Sequence, residues 1–130
     1  MANIQEFLDK AMSIDGALGT ALVNYETGTC LGTKGGGWLD MELAGASAIK
    51  IVRAKTDIIQ QLELDESPVE ALLTMENQYH LIRLLPVDDS VFAYLILEQE
   101  QGSLPLARTH LKSIGQELSL DAVEPPGEDA

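Results

Sequence analysis

The sequence predicts an α+β domain built on one five-stranded antiparallel sheet, with a long helix on one face and N- and C-terminal helices against another surface. Three observations support this prediction: a helix-capping pattern near the N-terminus, one long amphipathic segment in the middle, and three closely spaced apolar segments after it. The predicted order is helix, strand, strand, long helix, strand, strand, strand, helix. Short turns between the segments indicate that neighbouring strands pair in sequence order.

The N-terminal part predicts a short helix followed by a hairpin. Asn3 with Glu6 is the pattern of a reciprocal helix cap, and apolar residues then repeat at helical spacing as far as Met12. Turns containing glycine follow at residues 15–16 and 26–28. They separate two predicted strands, over residues 17–25 and 29–33.

Residues 40–62 predict the longest helix, with Asp40 as its cap, after a flexible glycine link at residues 34–37. An ordinary surface helix needs an apolar stripe of about 100°. This one is wider, so we expect it to contact both its own sheet and a surface outside the protomer. Its apolar side is predicted to comprise Met41, Ala44, Ala48, Ile51, Val52, Ile58, Ile59 and Leu62.

The C-terminal part predicts a three-stranded meander and a last helix. Ser103 is expected to cap this helix, with Pro105 in its first turn. Residues 121–130 are acidic and rich in proline, which is typical of a disordered tail. Residues 1–120 are therefore expected to form a single domain. The meander strands are predicted over residues 69–76, 79–85 and 91–97.

The charge and composition argue against several classes of partner. The net charge of -13 disfavours nucleic acid and anionic membrane surfaces, because both attract clustered cations. The single cysteine, Cys30, cannot form an internal disulfide, and no segment has the pattern of a membrane span or a signal peptide. We therefore expect a cytoplasmic protein without membrane insertion.

Each candidate chemical motif is weak. Lys34 precedes its glycine run instead of following it, which disagrees with a phosphate-binding loop. His80 and His110 lack a second metal ligand at short spacing, and Cys30 has no adjacent base. Arg53 is expected on a solvated helix face with local ion pairs. No catalytic, cofactor-binding or metal-binding residue is predicted, and the chain is not expected to be an enzyme.

Four segments resemble the roadblock domain, a profilin-like fold. They are residues 15–23, 26–28, 43–46 and 69–73, and the similarity in element order extends over residues 4–118. The family includes dynein light chains of the roadblock type and bacterial partners of small Ras-like GTPases. The resemblance rests on apolar patterns and element order more than on signature residues.

The resemblance implies a homodimer in which the long helices pack together and the strand at residues 69–76 pairs with its twin. It also implies a non-catalytic module that binds and regulates a small Ras-like GTPase, as an activating or a localising partner. Lys55 falls within the apolar stripe and is expected at its rim. The predicted dimer and partner interface comprises Met41, Ala44, Gly45, Ala48, Ile51, Val52, Lys55, Ile58, Ile59, Val69, Ala71 and Leu73.

Three alternatives remain open at the level of sequence. The long helix could be buried entirely within one protomer. The chain could be a small-molecule sensory domain of the PAS or GAF type, which requires a pocket lined by a few convergent polar groups. It could also be a structural scaffold that forms a heterodimer with a related chain.

Overall fold

The computed structural model describes residues 2–120 and shows one five-stranded antiparallel sheet between two helical layers. The predicted fold class and element order are confirmed. The acidic tail predicted for residues 121–130 lies outside the described residues. The elements are α1 Ile4–Met12, β1 Ala17–Asn24, β2 Thr29–Gly35, α2 Met41–Gln61, β3 Glu70–Thr74, β4 Gln78–Leu84, β5 Val91–Glu98 and α3 Leu104–Glu117.

All three residues predicted as helix caps occupy N-cap positions, and two of them make a capping hydrogen bond through the side chain. At α1, Asn3 Oδ1 accepts a hydrogen bond from the Glu6 backbone N–H at 2.8 Å, and the Glu6 carboxylate accepts from the Asn3 N–H. At α2, Asp40 accepts from the Leu43 N–H at 3.1 Å. Ser103 occupies the N-cap position of α3 as predicted, but its hydroxyl makes no capping hydrogen bond. Pro105 lies in the same first turn and has no N–H to be satisfied.

The strands lie in the order β2-β1-β5-β4-β3. Strands joined by short turns pair as predicted, and β1 also pairs with β5, which joins the hairpin to the meander. β5 is therefore the central strand, and its residues from Val91 to Leu97 are all buried. This position explains why the segment is apolar on both faces. β2 and β3 form the two edges.

Each face of the sheet carries its own apolar cluster. On one face α1 and α3 contribute Phe7, Leu8 and Leu111, which are fully or almost fully buried. On the other face Met41, Ala48 and Val52 of α2 pack against β1, β4 and β5. Both clusters consist mainly of aliphatic side chains. No helix within residues 2–120 has the length and apolar character needed to cross a bilayer.

The link between β2 and α2 is an ordered turn, so the flexible link predicted there is wrong. β2 extends to Gly35, and the Gly36 N–H donates to the Leu18 carbonyl at 2.7 Å. The Leu39 N–H donates to the Gly36 carbonyl at 2.7 Å. Gly36 has φ +96°, and a Cβ there would lie 2.7 Å from Met41 Cγ. Glycine is needed because both the backbone conformation and the space exclude a side chain.

We predict that Gly36→Ala destabilises the protein more than Gly28→Ala. Both positions have positive φ, which costs an alanine roughly 1–2 kcal/mol. Only Gly36 is enclosed, and crowding adds about 1–3 kcal/mol there. Urea unfolding of both variants measures the difference. Equal losses would show that the contact with Met41 relaxes without cost.

Candidate protein-binding interface

Helix α2 has two apolar sides, and only one of them faces the sheet. The sheet-facing side contains Met41, Gly45, Ala48, Ile49 and Val52, all buried. A second row lies about a third of a turn around the helix and is exposed. We call this row the exposed stripe. It consists of Leu43, Ser47, Ile51, Ala54, Ile58 and Leu62.

The exposed stripe is large for a surface helix. Leu43 is 64% exposed, Leu62 is 62% exposed, and Ile51 and Ile58 are each more than 40% exposed. Single apolar residues on a surface are common, but four large apolar side chains on one side of a helix, with the small residues Ser47 and Ala54 between them, are typical of an interaction surface. The predicted surplus of apolar surface on this helix is therefore present in the structure.

A groove of about 580 Å³ separates the middle of the stripe from β3. Ile51, Ala54 and Ile58 line it from α2, and Pro68 and Ala71 line it from the β3 side. Lys55 lines the α2 side of this groove and is exposed, as expected for a residue at the rim of the apolar side of the helix. The groove has the shape and apolar lining that suit a second helix or an extended segment.

Among residues 2–120, no strand pairs with the outer edge of β3 next to this groove, so this edge is open. The Met75 N–H donates to the Gln78 carbonyl and the Leu84 N–H to the Val69 carbonyl, so odd-numbered residues of this segment bond to β4. Because hydrogen-bonded and non-bonded pairs alternate in an antiparallel ladder, the N–H and C=O groups of residues 70, 72 and 74 point away from β4. This edge is a template for another strand.

The structure divides the predicted interface residues into two groups. Met41, Gly45, Ala48 and Val52 are buried against the protomer's own sheet, because α2 approaches β1 closely at Gly45. They are core residues in this structure. The remaining predicted residues reach the surface. Ile51, Lys55, Ile58, Val69 and Leu73 are exposed, and Ala44, Ile59 and Ala71 are half-buried.

Sequence reasoning missed several exposed apolar residues at the ends of α2. Trp38 is 88% exposed just before the helix, and Leu64 is exposed just after it. Ile51, Ile58 and Leu62 were predicted on the same apolar side as the core residues Met41, Ala48 and Val52, but all three are exposed. A lone tryptophan directly after three glycines was the available signal for Trp38, since Trp is a common anchor residue in interfaces.

Arg53 and Cys30 are held by local contacts. The Arg53 guanidinium donates to the backbone carbonyls of Tyr25 and Glu26, so it ties α2 to the β1–β2 turn. The expected ion pairs on α2 are replaced by these contacts. Cys30 is half-buried, and burial raises the pKa of its thiol, which disfavours the nucleophilic thiolate.

A charged cluster on the opposite face of β3 anchors this strand. The Glu70 carboxylate accepts hydrogen bonds from Arg83 on β4 at 3.3 Å and from Arg108 on α3 at 2.7 Å. Glu70 and Arg83 side chains are largely buried, so this network is screened less than a surface ion pair. The open edge is therefore fixed in place by α3.

His80 lies beside the open edge and is hydrogen-bonded at both ring nitrogens. Its Nδ1 contacts the Tyr94 hydroxyl, and its Nε2 lies 2.9 Å from Gln78 Oε1. A neutral ring with its proton on Nε2 satisfies both contacts. Burial lowers the pKa of His80 and raises the pKa of the Tyr94 hydroxyl. Within residues 2–120, no group of three or more His, Cys, Asp or Glu side chains converges to hold a metal ion.

Solved structures of known proteins share this architecture. MglB of Myxococcus xanthus superimposes with a TM-score of 0.74 at 15% identity, covering 85% of this chain and 87% of that one. A Roadblock/LC7 domain from Streptomyces avermitilis gives a TM-score of 0.74 at 7% identity, covering 89% of this chain and 94% of that one. A structure of MglB in a tetrameric arrangement gives a TM-score of 0.72 at 14% identity, covering 87% of this chain and 82% of that one.

The chain therefore has the roadblock fold, and the predicted resemblance to that domain is confirmed at the level of structure. The similar structures include MglB. No protein-family model matches the sequence, and no curated protein matches it either. At these identities the shared feature is the arrangement of elements, so functional statements have to be argued from this chain's own surface.

We predict that stability falls as the pH is lowered from 7 to 5 because of His80. The pKa of His80 is lower in the folded chain than the value of about 6.5 for a solvated histidine. Its contribution to stability is therefore complete above pH 6.5 and is lost as the pH falls through the folded pKa. The free energy of unfolding, measured with urea across this range, should decrease as the pH falls. His80→Gln should reduce this dependence on pH.

His110 provides the matched control, because it is exposed on α3. His80→Gln should reduce the pH dependence of the free energy of unfolding more than His110→Gln does. A pH dependence that survives in His80→Gln would place the titrating group elsewhere. The pKa of the Asp88 carboxyl is lowered by its hydrogen bonds to Ser90, so that group titrates well below this range.

Proposed function

We propose that this protein is a non-catalytic homodimeric interaction module that acts in the cytoplasm and binds and regulates a small Ras-like GTPase. One observation carries the proposal. A protomer with a complete core on both faces of its sheet leaves an apolar helix stripe exposed next to an open strand edge. Both features are surfaces for another polypeptide.

The spacing of the exposed stripe favours a second copy of the chain as its partner. From Leu43 to Leu62 the stripe residues are separated by 4, 4, 3, 4 and 4 residues, a series that is the same from either end. Two such helices packed antiparallel about a two-fold axis place Leu43 opposite Leu62 of the second copy, and Ile51 opposite Ala54. Small residues at Ser47 and Ala54 permit the helices to approach closely.

The open edge of β3 supports the same two-fold arrangement. Val69, Leu73 and Met75 are exposed on this strand, while Glu70 is tied to β4 and α3 on its other face. Antiparallel pairing with its twin joins two five-stranded sheets. Because the groove lies between the stripe and β3, a partner that pairs at the edge also brings its α2 toward the stripe.

The other sheet edge is less suited to pairing. β2 carries Lys34, which is ion-paired with Asp9, and its pairing with β1 is interrupted by a bulge between Leu22 and Val23. Charges and bulges are common devices against edge-to-edge association. This difference favours β3 as the edge at which a dimer forms.

The energy of such an interface is sufficient for a stable dimer. A standard interface buries roughly 1,600 Å² in total, and about 60% of it is apolar. At roughly 25 cal/mol per Å² the gross gain is on the order of 20 kcal/mol before the costs of association. α2 also carries three cations, Lys50, Arg53 and Lys55, against Glu42 and Asp57. Helix α2 as a whole is thus less acidic than the rest of the chain.

The class of partner follows from the roadblock fold and from the similarity to MglB. In the family that this chain resembles, bacterial members are partners of small Ras-like GTPases. The outer side of the paired α2 helices would be the surface presented to such a partner. Arg53 is already bonded to Tyr25 and Glu26, so regulation by positioning the partner's own catalytic loops fits better than donation of an arginine.

The alternatives receive less support. The interior is filled by two aliphatic clusters, and the groove between the exposed stripe and β3 opens to the surface, which disfavours a sensory pocket. The symmetric spacing of the stripe favours a homodimer over a heterodimer. A homodimer needs a helix whose side chains are complementary to a second copy of the same helix, whereas a heterodimer does not.

We predict that the wild-type chain sediments at twice 14.1 kDa at micromolar concentration and that Ile58→Glu and Thr74→Pro each give monomers. Ile58→Glu places a charge on the stripe. Thr74→Pro removes an N–H that points away from β4, so it blocks a partner strand while sparing the protomer's own ladder. Sedimentation equilibrium measures the mass, and circular dichroism checks that both variants remain folded.

Leu106→Glu is the control for Ile58→Glu. Leu106 is 57% exposed on α3, away from the stripe. This variant should remain dimeric. A monomeric wild-type chain, or a dimer that tolerates both interface substitutions, would contradict the dimer proposed here.

We further predict nucleotide-dependent binding to a small Ras-like GTPase encoded beside the gene. Pull-downs with the GTPase loaded with GDP or with a non-hydrolysable GTP analogue test this directly. Lys50→Glu, on the outer side of α2, should weaken binding by about tenfold, as for the loss of one charged contact. Lys112→Glu on α3 is the control. Absence of binding in either nucleotide state would refute the GTPase assignment while leaving the dimer intact.

A further inference from the structure

Trp38 has the most exposed large apolar side chain within residues 2–120, at 88% of its surface. Exposed tryptophans are uncommon, because burial of the large indole ring would stabilise the fold through the hydrophobic effect. Where they occur at interfaces, they are among the residues that contribute most to affinity.

The surrounding turn holds Trp38 in a defined position. The Leu39 N–H donates to the Gly36 carbonyl, which closes a turn around residues 37 and 38. Gly36 is buried, and Leu39 packs against the apolar cluster beneath α2. Asp40 then caps the helix. The ordered backbone of this turn reduces the conformational entropy that is lost when Trp38 binds, and the tryptophan side chain has only two rotatable bonds to fix.

The opposite end of α2 offers matching apolar side chains. Leu62 is 62% exposed at the C-terminal cap, and Leu64 is 48% exposed two residues later. In the antiparallel helix pair proposed above, the start of one α2 lies beside the end of the other. Packed helices cross at an angle, so their ends diverge and a large side chain is needed to fill the space between them.

We propose that Trp38 packs on Leu62 and Leu64 of a second copy of this chain, so that two such contacts close the ends of the helix pair. This inference rests on the proposed homodimer and adds the residue that sets its register. Trp38 exposes about 200 Å², and two copies contribute about 400 Å² of the roughly 1,600 Å² that a standard interface buries. It is thus a principal anchor of the interface.

The single tryptophan of the chain makes the contact directly measurable. The wild-type dimer should show blue-shifted tryptophan emission, and the Thr74→Pro monomer should show the emission of a solvated indole. Dilution through the dissociation constant should convert the first spectrum to the second. Trp38→Ala should raise the dissociation constant by about 30-fold, as expected for an anchor residue.

Leu64→Ser provides a second test, because it alters the surface on which Trp38 packs. In the dimer of this variant the emission should shift to the red, whereas Leu106→Ser, on α3, should leave it unchanged. Neither position is buried, so both variants are expected to fold.

Three results would overturn the inference. A stable dimer with solvated indole emission, and with an unaltered dissociation constant in Trp38→Ala, would refute the Trp38 contact while leaving the dimer in place. A blue shift that occurs only on addition of the GTPase would assign Trp38 to the other partner. A wild-type chain that is monomeric at all concentrations would refute the proposed dimer and this contact together.

Discussion

The close contact between α2 and β1 determines how the rest of the surface is arranged. Gly45 lies so near Val23 that a Cβ at this position would approach the Val23 Cγ2 to 2.9 Å. Met41 packs equally closely against Gly19 and Gly36. Two contacts along one helix fix its rotation about its own axis. With 3.6 residues per turn, the direction of all the remaining side chains then follows. The sheet-facing side is thereby set, and Leu43, Ile51 and Ile58 must point outward.

This constraint connects the core to the interaction surface. A helix bound at ordinary distance through larger side chains could rotate to cover more of its apolar surface, at the cost of looser packing. Here the small residues hold the helix close, and the sheet already has a full apolar cluster on each face. The stripe is left exposed while the packing of the protomer remains intact. Its surface is available to another chain without any unfolding.

The two edges of the sheet and the polar groups around them have different roles. The β3 edge is held by the Glu70 contacts with Arg83 and Arg108, and His80 and Tyr94 lie on the α2 side of the neighbouring strands. The β2 edge is closed off by a bulge and by Lys34. Arg53 stabilises the β1–β2 turn. The polar residues of this chain thus position its surfaces, which is consistent with a protein that works by binding.

The sequence by itself determined the elements. Short-range signals are sufficient for them: Asn3 with Glu6, Asp40 before α2, helical spacing in α1 and α2, and glycine-containing turns at residues 15–16 and 26–28. They also predicted an α2 with more apolar surface than one sheet can cover. The turn at Gly36 was misread as flexible, because its order comes from hydrogen bonds to Leu18 and Leu39 that a local pattern does not contain.

Only the tertiary structure decided which apolar residues of α2 face inward. Met41, Gly45, Ala48 and Val52 belong to the core. Ile51, Ile58 and Leu62, predicted on the same apolar side as Met41, are exposed. Spacing along a helix predicts the width of an apolar side but not the direction in which the sheet lies. That direction depends on contacts between residues distant in sequence, above all Gly45 with Val23. The open edge of β3 likewise depends on where the strands pair, and the position of Trp38 depends on the turn that the Gly36–Leu39 hydrogen bond closes.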